Sequence, residues 1–548
     1  MRNYITTTIA VTGLCLAGMS GALQAQTRQL AVSFTNLNTK YSNSDVHFMF
    51  GGGGSVQGTI DYIPSNAVVA LVPQQDYTLA QVGPGGITVS NFVDGKIFVS
   101  LGASVVSTNP AYNPGHPDFQ PGSADPAAQV RWDKLETTIF ASTNTVQSSG
   151  INMSAADFFS IPMAVVTKRN GTNVGTITWH PATDTSVVFS NLAALAFNNV
   201  SYAAVVGTTA SALTNGISTV VNGGTSNILR VISPANVAAA ANPNPYVSFT
   251  PYLDYVKASN ITAHITGTYG GRPIIPTNTP LPNNAFSNQV YDFVGSITPS
   301  GDMVLVGYGD LVSTQTLTIH ESDLAAGVYS ADPIYTLGSL PGTNLHNYNS
   351  VYDSVISDML AGFNLGLVGT TNTDPRTGNG ITTGVTVIGQ ESSDAWFSRG
   401  PTYGLNPKFT PEQLFRVLWP SGQIFYNTFA SYLSPITDAY SFPYTDKTAS
   451  PFLDLTYPNA DAFAIIILPD TATPPPTGVK FLSWAPLPGA GLQLTFNVPE
   501  GVPYTLQASE NLVTWTNLSS SNGLPGGIET FSDNTSTPSH SRYYRIHP

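Results

Sequence analysis

Between about residues 30 and 197 the chain is written as short runs of β-forming residues cut by turn residues, and this pattern constrains its fold most. Val32-Ser-Phe34, Val46-His-Phe-Met-Phe50, Val68-Val-Ala-Leu-Val72, Lys96-Ile-Phe-Val-Ser100, Thr137-Thr-Ile-Phe140, residues 159–166 and Thr176-Ile-Thr-Trp179 are each strand-length. Branched and aromatic side chains suit a pleated surface, and Gly, Pro, Asn and Ser punctuate the runs, so a β-barrel or sandwich is expected. Gly51 to Gly54 lacks the strand-to-helix context of a nucleotide fingerprint and reads as a turn.

The pattern changes near residue 230. Ser233-Pro234, Thr250-Pro251 and Thr410-Pro411 resemble helix starts with a hydroxyl N-cap and Pro at the first helical position, and Gln413 completes a capping box in the last. Val351, Val355, Ile356, Met359, Leu360 and Phe363 recur with helical period. Residues 230–430 are therefore expected as a mixed α/β domain that faces the β domain of 26–229 across a wide cleft. Strand-like segments at residues 440–444 and 462–468 place a return to the barrel in 431–468. Three consecutive prolines mark 469–478 as a semi-rigid linker. Residues 479–548 alternate in Leu492-Gln-Leu-Thr-Phe496, Tyr504-Thr-Leu-Gln-Ala508 and Tyr543-Tyr-Arg-Ile546, and are expected as a small β-sandwich with Trp484 and Trp515 in its core.

Composition narrows the function. Of 548 residues only 9% are charged, with 32 acidic against 19 basic side chains and a net charge of −13, which argues against a nucleic-acid binder. Arg2, the apolar run of residues 5–19 and the small residues Ser20, Gly21, Ala22 and Ala25 read as a signal peptide over 1–25, hence a secreted protein. Cleavage there removes Cys15, the single cysteine, so neither disulfides nor cysteine catalysis is expected. Later apolar runs are too short to span a membrane. Serine-hydrolase, zinc-protease and phosphate-loop motifs are missing, and the eight His are scattered singly.

Carboxylates remain. An acid in a strand of so uncharged a chain costs desolvation unless it is paired or useful. Glu136 and Asp157 are symmetric about residues 146 and 147, so a hairpin turning there brings them together. Opposed residues lie about 4.5–5.5 Å apart, and a two-residue slip gives about 7–8 Å. The wider spacing admits a water between two carboxyl groups, as in an inverting glycosidase. Solvated or capping acids at strand starts have the same spacing, so spacing alone leaves both readings open.

Longer motifs add to this. Asp94-Gly-Lys-Ile-Phe-Val-Ser-Leu-Gly102, Asn109-Pro110, Trp132-Asp-Lys-Leu-Glu136-Thr-Thr138 and Asp157-Phe-Phe-Ser-Ile-Pro162-Met163 are followed in order by Leu229-Arg-Val-Ile-Ser-Pro234, Phe249-Thr-Pro-Tyr252-Leu-Asp254 and Tyr440-Ser-Phe-Pro443-Tyr444-Thr-Asp446. Spread over about residues 30–468, they resemble glycoside hydrolase family 64, the thaumatin-like, laminaripentaose-producing β-1,3-glucanases. The resemblance implies a thaumatin-like β domain with an α/β domain, and a monomeric endo-acting enzyme that hydrolyses β-1,3-glucan with inversion and needs no metal or cofactor. It assigns Glu136 as general acid and Asp157 as general base. Thr138, on the same strand face as Glu136, together with Tyr252, Tyr444 and Asp446, is expected to bind sugar, with Trp396 and Tyr403 as further stacking candidates. The loop between the acids is longer than the family pattern, and Thr445 stands where the first of two paired Asp is expected. These departures define the alternative, a non-catalytic thaumatin-like β-glucan-binding or surface adhesion protein. The last 70 or so residues resemble fibronectin-III-like modules.

Overall fold

The computed structural model describes residues 28–52, 55–106, 126–141, 149–179, 184–196, 203–221, 223–237, 244–270, 287–308, 315–329, 334–338, 344–345, 351–368, 382–383, 386–387, 393, 425–445, 452–471, 480–487, 491–498, 503–509, 515–522, 528–533 and 543–547. The signal segment, the Thr410-Pro411 box, most of the proline linker, Trp396, Tyr403 and Asp446 lie outside these. By contact the chain forms two compact units, residues 1–180 with 184–470, and residues 181–183 with 471–548.

The first unit is built on a barrel-like sheet. Its opening strands are β1 (Leu30–Asn36), β2 (Val46–Gly51), β3 (Gln57–Tyr62), β4 (Ala67–Ala70), β5 (Tyr77–Thr78), β6 (Val82–Leu101), β7 (Arg131–Ile139) and β8 (Gly150–Met153). After the two-residue β9 (Phe158–Phe159), the chain re-enters the sheet as β10 (Met163–Arg169) and β11 (Thr172–Thr178). The 20-residue β6 joins the two halves of the sheet, pairing with β1 and β3 through its first part and with β2 and β7 through its second. A bulge between Phe92 and Gly95 makes the change of direction. Gly95 is required there, since a Cβ would stand 2.1 Å from the Phe92 ring.

Period-2 alternation sorts the side chains of this half. Val46, Phe48 and Phe50 of β2, Ile97, Val99 and Leu101 of β6, and Leu135 and Ile139 of β7 enter the large core. Met49, Phe98 and Trp132 point the other way and form a small apolar cluster with Val105, Ala127 and Phe158. The opposite face of the sheet thus has its own packed floor.

The mixed region follows with β12 (Ala204–Val206), β13 (Ile217–Val221) and β14 (Gly224–Ile232), then an antiparallel meander of β15 (Thr262–Gly270), β16 (Ser287–Ile297), β17 (Met303–Tyr308), β18 (Thr316–Ile319), β19 (Tyr335–Leu337) and β20 (Asn344–Leu345). The short pair β21 (Thr382–Thr383) and β22 (Thr386–Val387) precedes the return strands β23 (Phe452–Asp454) and β24 (Ala462–Ile467). Helix Val351–Leu365 covers the residues with helical period, and helix Thr250–Ala258 carries Pro251 in its first turn. Thr250 is already helical there, and its N–H is accepted by the Ser248 hydroxyl. Ser233-Pro234 starts a turn instead of a helix, because the Ser233 hydroxyl donates to the Ala156 carbonyl. Strand β24 lies between β1, to which it is parallel, and β10. One contiguous core runs from the barrel sheet into the meander and helix Val351–Leu365.

Residues 440–444 form a bridge and a turn in place of the expected strand. The Thr445 hydroxyl accepts from the N–H groups of Ser441 and Phe442 and donates to the Phe442 carbonyl, which closes the turn. Beyond it, Arg131 of β7 is wholly buried and forks onto both oxygens of Asp470, at 2.7 and 2.6 Å. Asp470, placed by sequence in the linker, is therefore part of the first unit.

The second unit contains two three-stranded antiparallel sheets. One holds β25 (Lys480–Leu487), β26 (Gly491–Asn497) and, later in the chain, β29 (Ile528–Asp533); the other holds β27 (Pro503–Ser509), β28 (Thr516–Asn522) and β30 (Tyr543–His547). Leu494, Phe496, Val498, Tyr504 and Leu506 form its core. Trp515 lies outside that cluster, half-buried beneath the Arg545 guanidinium, which is 4.1 Å from its ring centroid. No helix among the described residues is long and apolar enough to cross a membrane.

Candidate active site

The expected hairpin between Glu136 and Asp157 has a different register. Glu136 opposes Asn152, with Leu135 opposite Met153 and Thr138 opposite Gly150, so β8 ends before Asp157. Asp157 lies instead on the bend that carries the chain to β9, whose Phe158 and Phe159 pair with Ile232 and Val231 of β14. That pairing sets Asp157 beside the turn after β14, where Ser233 N–H donates to the Asp157 carbonyl at 2.9 Å and the Asn236 amide donates to its carboxylate. Asp133 pins the next residues, its buried carboxylate accepting from the N–H groups of Ser160 and Ile161. Burial pushes the Asp133 pKa up to about 7, against the opposing pull of those N–H groups.

The two acids meet through Lys134. Lys134 and Glu136 share a face of β7, and the Lys134 ammonium donates to Asp157 Oδ2 while its Nζ stands 3.8 Å from Glu136 Oε1. With an ordinary length of about 2.8 Å for the first contact, the two carboxylate oxygens lie within roughly 7 Å of each other. Both acid side chains are 29% exposed, whereas that of Lys134 is 9% exposed, so the cation is below and the acids open to solvent. Burial alone raises the Asp157 pKa, but Lys134, aided by Lys96 and the Asn236 amide, outweighs it and holds the carboxyl below its ordinary range. The same two acids keep Lys134 protonated despite its burial. Lys96 of β6 is directly opposite Glu136, which brings a second cation beside the two acids.

The floor beneath this row is the small apolar cluster. Trp132 is two residues before Lys134 on the same face, with the buried Arg230 guanidinium 5.1 Å from its ring centroid. Arg230 also donates to the carbonyls of Ala128 and Val130, fixing the segment that leads into β7.

The other expected site residues separate. Thr138 is two residues beyond Glu136 on the same face, half-buried, and its hydroxyl accepts from Asp94 N–H at 3.1 Å. Tyr252 is in the core: it is fully buried, stacks on Phe425 with centroids 4.9 Å apart, and donates its hydroxyl to the Val368 carbonyl. No ring face is left for a sugar, which corrects its assignment as a ligand. Tyr444 is half-buried and packs against the large core. Asp446 lies outside the described residues. Among the described residues no group of His, Cys, Asp or Glu could hold a metal ion.

Residues 19–266, which include Glu136, Asp157 and Asn236, match the model of glycoside hydrolase family 64, described as β-1,3-glucanase. This region is similar to glycoside hydrolase family 64. No curated protein matches the chain. Among solved structures, a laminaripentaose-producing β-1,3-glucanase in complex with laminaritetraose is 14% identical, with TM-score 0.44, covering 81% of this chain and 99% of that one. A β-1,3-glucanase domain of family 64 from Clostridium beijerinckii is 12% identical, with TM-score 0.42, over 82% of this chain and 100% of that one. A laminaripentaose-producing family 64 enzyme from Paenibacillus barengoltzii, complexed with laminarihexaose, is 10% identical, with TM-score 0.38, over 81% and 75%. Likeness at this level carries no weight beside the matched region and the geometry. The matched region contains both acids, Lys134 and the turn that holds Asn236.

Proposed function

We propose that this chain is a secreted, monomeric, endo-acting hydrolase of β-1,3-glucan that inverts configuration at the anomeric carbon, with Glu136 as general acid and Asp157 as general base. The observation that carries the reading is the shared contact of the two acids with Lys134 on one open face of the family 64 sheet. Asp157, kept ionised by Lys134 and the Asn236 amide, accepts a proton from the attacking water. Glu136, whose Oε1 stands 3.8 Å from Lys134 Nζ and outside hydrogen-bond distance, is assigned to protonate the leaving oxygen. Once that proton has left, Lys134 faces the carboxylate that remains.

Inversion requires room for water between carboxyl groups separated by about 6.5–9.5 Å, against about 5–5.5 Å for retention. The shared ammonium limits the separation of the acid oxygens to roughly 7 Å, which meets the lower end of the inverting range, so the assignment of inversion rests on the family 64 resemblance. Sugar contacts are assigned to Thr138 beside Glu136 and, from the late motif, to Tyr444 and Asp446; the fibronectin-III-like module is assigned a spacer or display role. Purified protein incubated with laminarin or curdlan should release reducing ends, and Glu136→Gln should reduce turnover by about 10² to 10⁴ while leaving the fold intact. Binding to insoluble glucan without hydrolysis would refute the catalytic reading.

A further inference from the structure

The row through Glu136 continues beyond β8. Glu136 opposes Asn152, and Asn152 opposes Phe452 of β23, so these three side chains share one face of the sheet. Phe452 belongs to the edge strand, two strand spacings or about 10 Å from Glu136. Its ring lies over Gly150: a Cβ there would stand 1.7 Å from the ring tip. Gly150 in turn opposes Thr138, so the ring extends toward the Thr138 and Glu136 side of β7. The ring tip occupies the space that a side chain at 150 would fill, yet the residue remains 42% exposed, among the more exposed large apolar side chains of the unit.

We propose that Phe452, seated on Gly150, is a stacking platform for a glucosyl ring next to the one being cleaved. This rests on the β-glucan hydrolase reading above and adds a binding position to it. A β-pyranose presents apolar C–H faces and a polar rim, which suits a fixed aromatic face flanked by Thr138 and Asn152. Glycine at 150 is what admits the ring at this position, and the position on the Glu136 row is what selects a sugar as its occupant.

The test compares the full-length parent, Phe452→Ala and Phe452→Trp on laminari-oligosaccharides of increasing length. In the alanine variant KM should rise about 3- to 10-fold for oligomers long enough to reach Phe452, with kcat within about twofold, and stay unchanged for the shortest cleaved oligomer. Tryptophan should restore KM. Thermal unfolding of each variant separates a loss of fold from a loss of binding. An unchanged KM at every length, or an increase that ignores length and accompanies a lower melting temperature without rescue by tryptophan, overturns the platform while leaving the hydrolase reading standing. A parent that neither cleaves nor binds these oligomers overturns the hydrolase reading and the platform with it.

Discussion

Replacing Asp470 by alanine should destabilise the first unit although the residue is more than 300 positions from its partner in sequence. Arg131 has no exposed surface, and Asp470 accepts two of its N–H bonds at 2.6 and 2.7 Å while its side chain is 12% exposed. Removing one partner of a buried pair leaves the other charge uncompensated, at a cost of about 3–5 kcal/mol. Loss of the 3.0 Å bond from the Asn38 amide to Asp470 adds to this. At about 2.1 cal/mol/K per residue, a unit of roughly 440 residues has an unfolding entropy near 0.9 kcal/mol/K, so the melting temperature should fall by about 3–5 °C. Arg131, Lys40 and the Asn38 amide outweigh burial and hold the Asp470 pKa below the usual carboxylate range. A depressed folded-state pKa contributes stability above the unfolded value, near 3.9, and loses it as pH falls through the folded one. The gap between parent and Asp470→Ala should therefore be full at neutral pH and narrow below about pH 4. Calorimetric melts at pH 7 and pH 3.5 measure this, together with truncations ending at Pro469 and at Thr471. If Asp470→Ala melts within about 1 °C of the parent at pH 7, or the two truncations melt alike, the pair does not anchor the end of the unit.

Lys134→Met leaves the burial of Asp157 opposed only by Lys96 and Asn236, so the Asp157 pKa rises. The acidic limb of the kcat/KM profile should then move to higher pH by about one unit or more, and an unmoved limb would show that Lys134 does not set the base. Tyr252→Phe should reduce stability by about 1 kcal/mol through loss of the buried bond to Val368, with KM for laminari-oligosaccharides unchanged. A raised KM without lower stability would return Tyr252 to the sugar site.

The strands were legible because their alternation is regular, as in Val46, Phe48 and Phe50 against Met49. Helix Val351–Leu365 was legible for the corresponding reason of helical period. Glu136 and Asp157 could be named from strand context and motif. Their relation could not, because symmetry about residues 146 and 147 presumes an uninterrupted hairpin. The chain leaves β8 after Met153 and spends the next residues crossing to β14. Lys134 was within the motif and two residues before Glu136, and that spacing was the available signal. A lysine near an acid in sequence is usually a solvated pair, whereas here the apolar cluster around Trp132 buries its stem. Asn236 came to the site through the pairing of β9 with β14, a long-range contact that no local pattern announces. Tyr252 was misplaced because aromatic content says nothing about which rings are covered, and Asp470 because a run of prolines downstream outweighed a single acid.

The central claim is a water-mediated displacement by two carboxyls held about Lys134, and the anomer of the first product tests it most directly. Proton NMR of oligosaccharide hydrolysis, recorded before mutarotation, should show the α-anomer appearing first with the parent, with both Glu136→Gln and Asp157→Asn reduced at least about 10²-fold. Immediate appearance of the β-anomer, or full activity in either variant, would contradict the account.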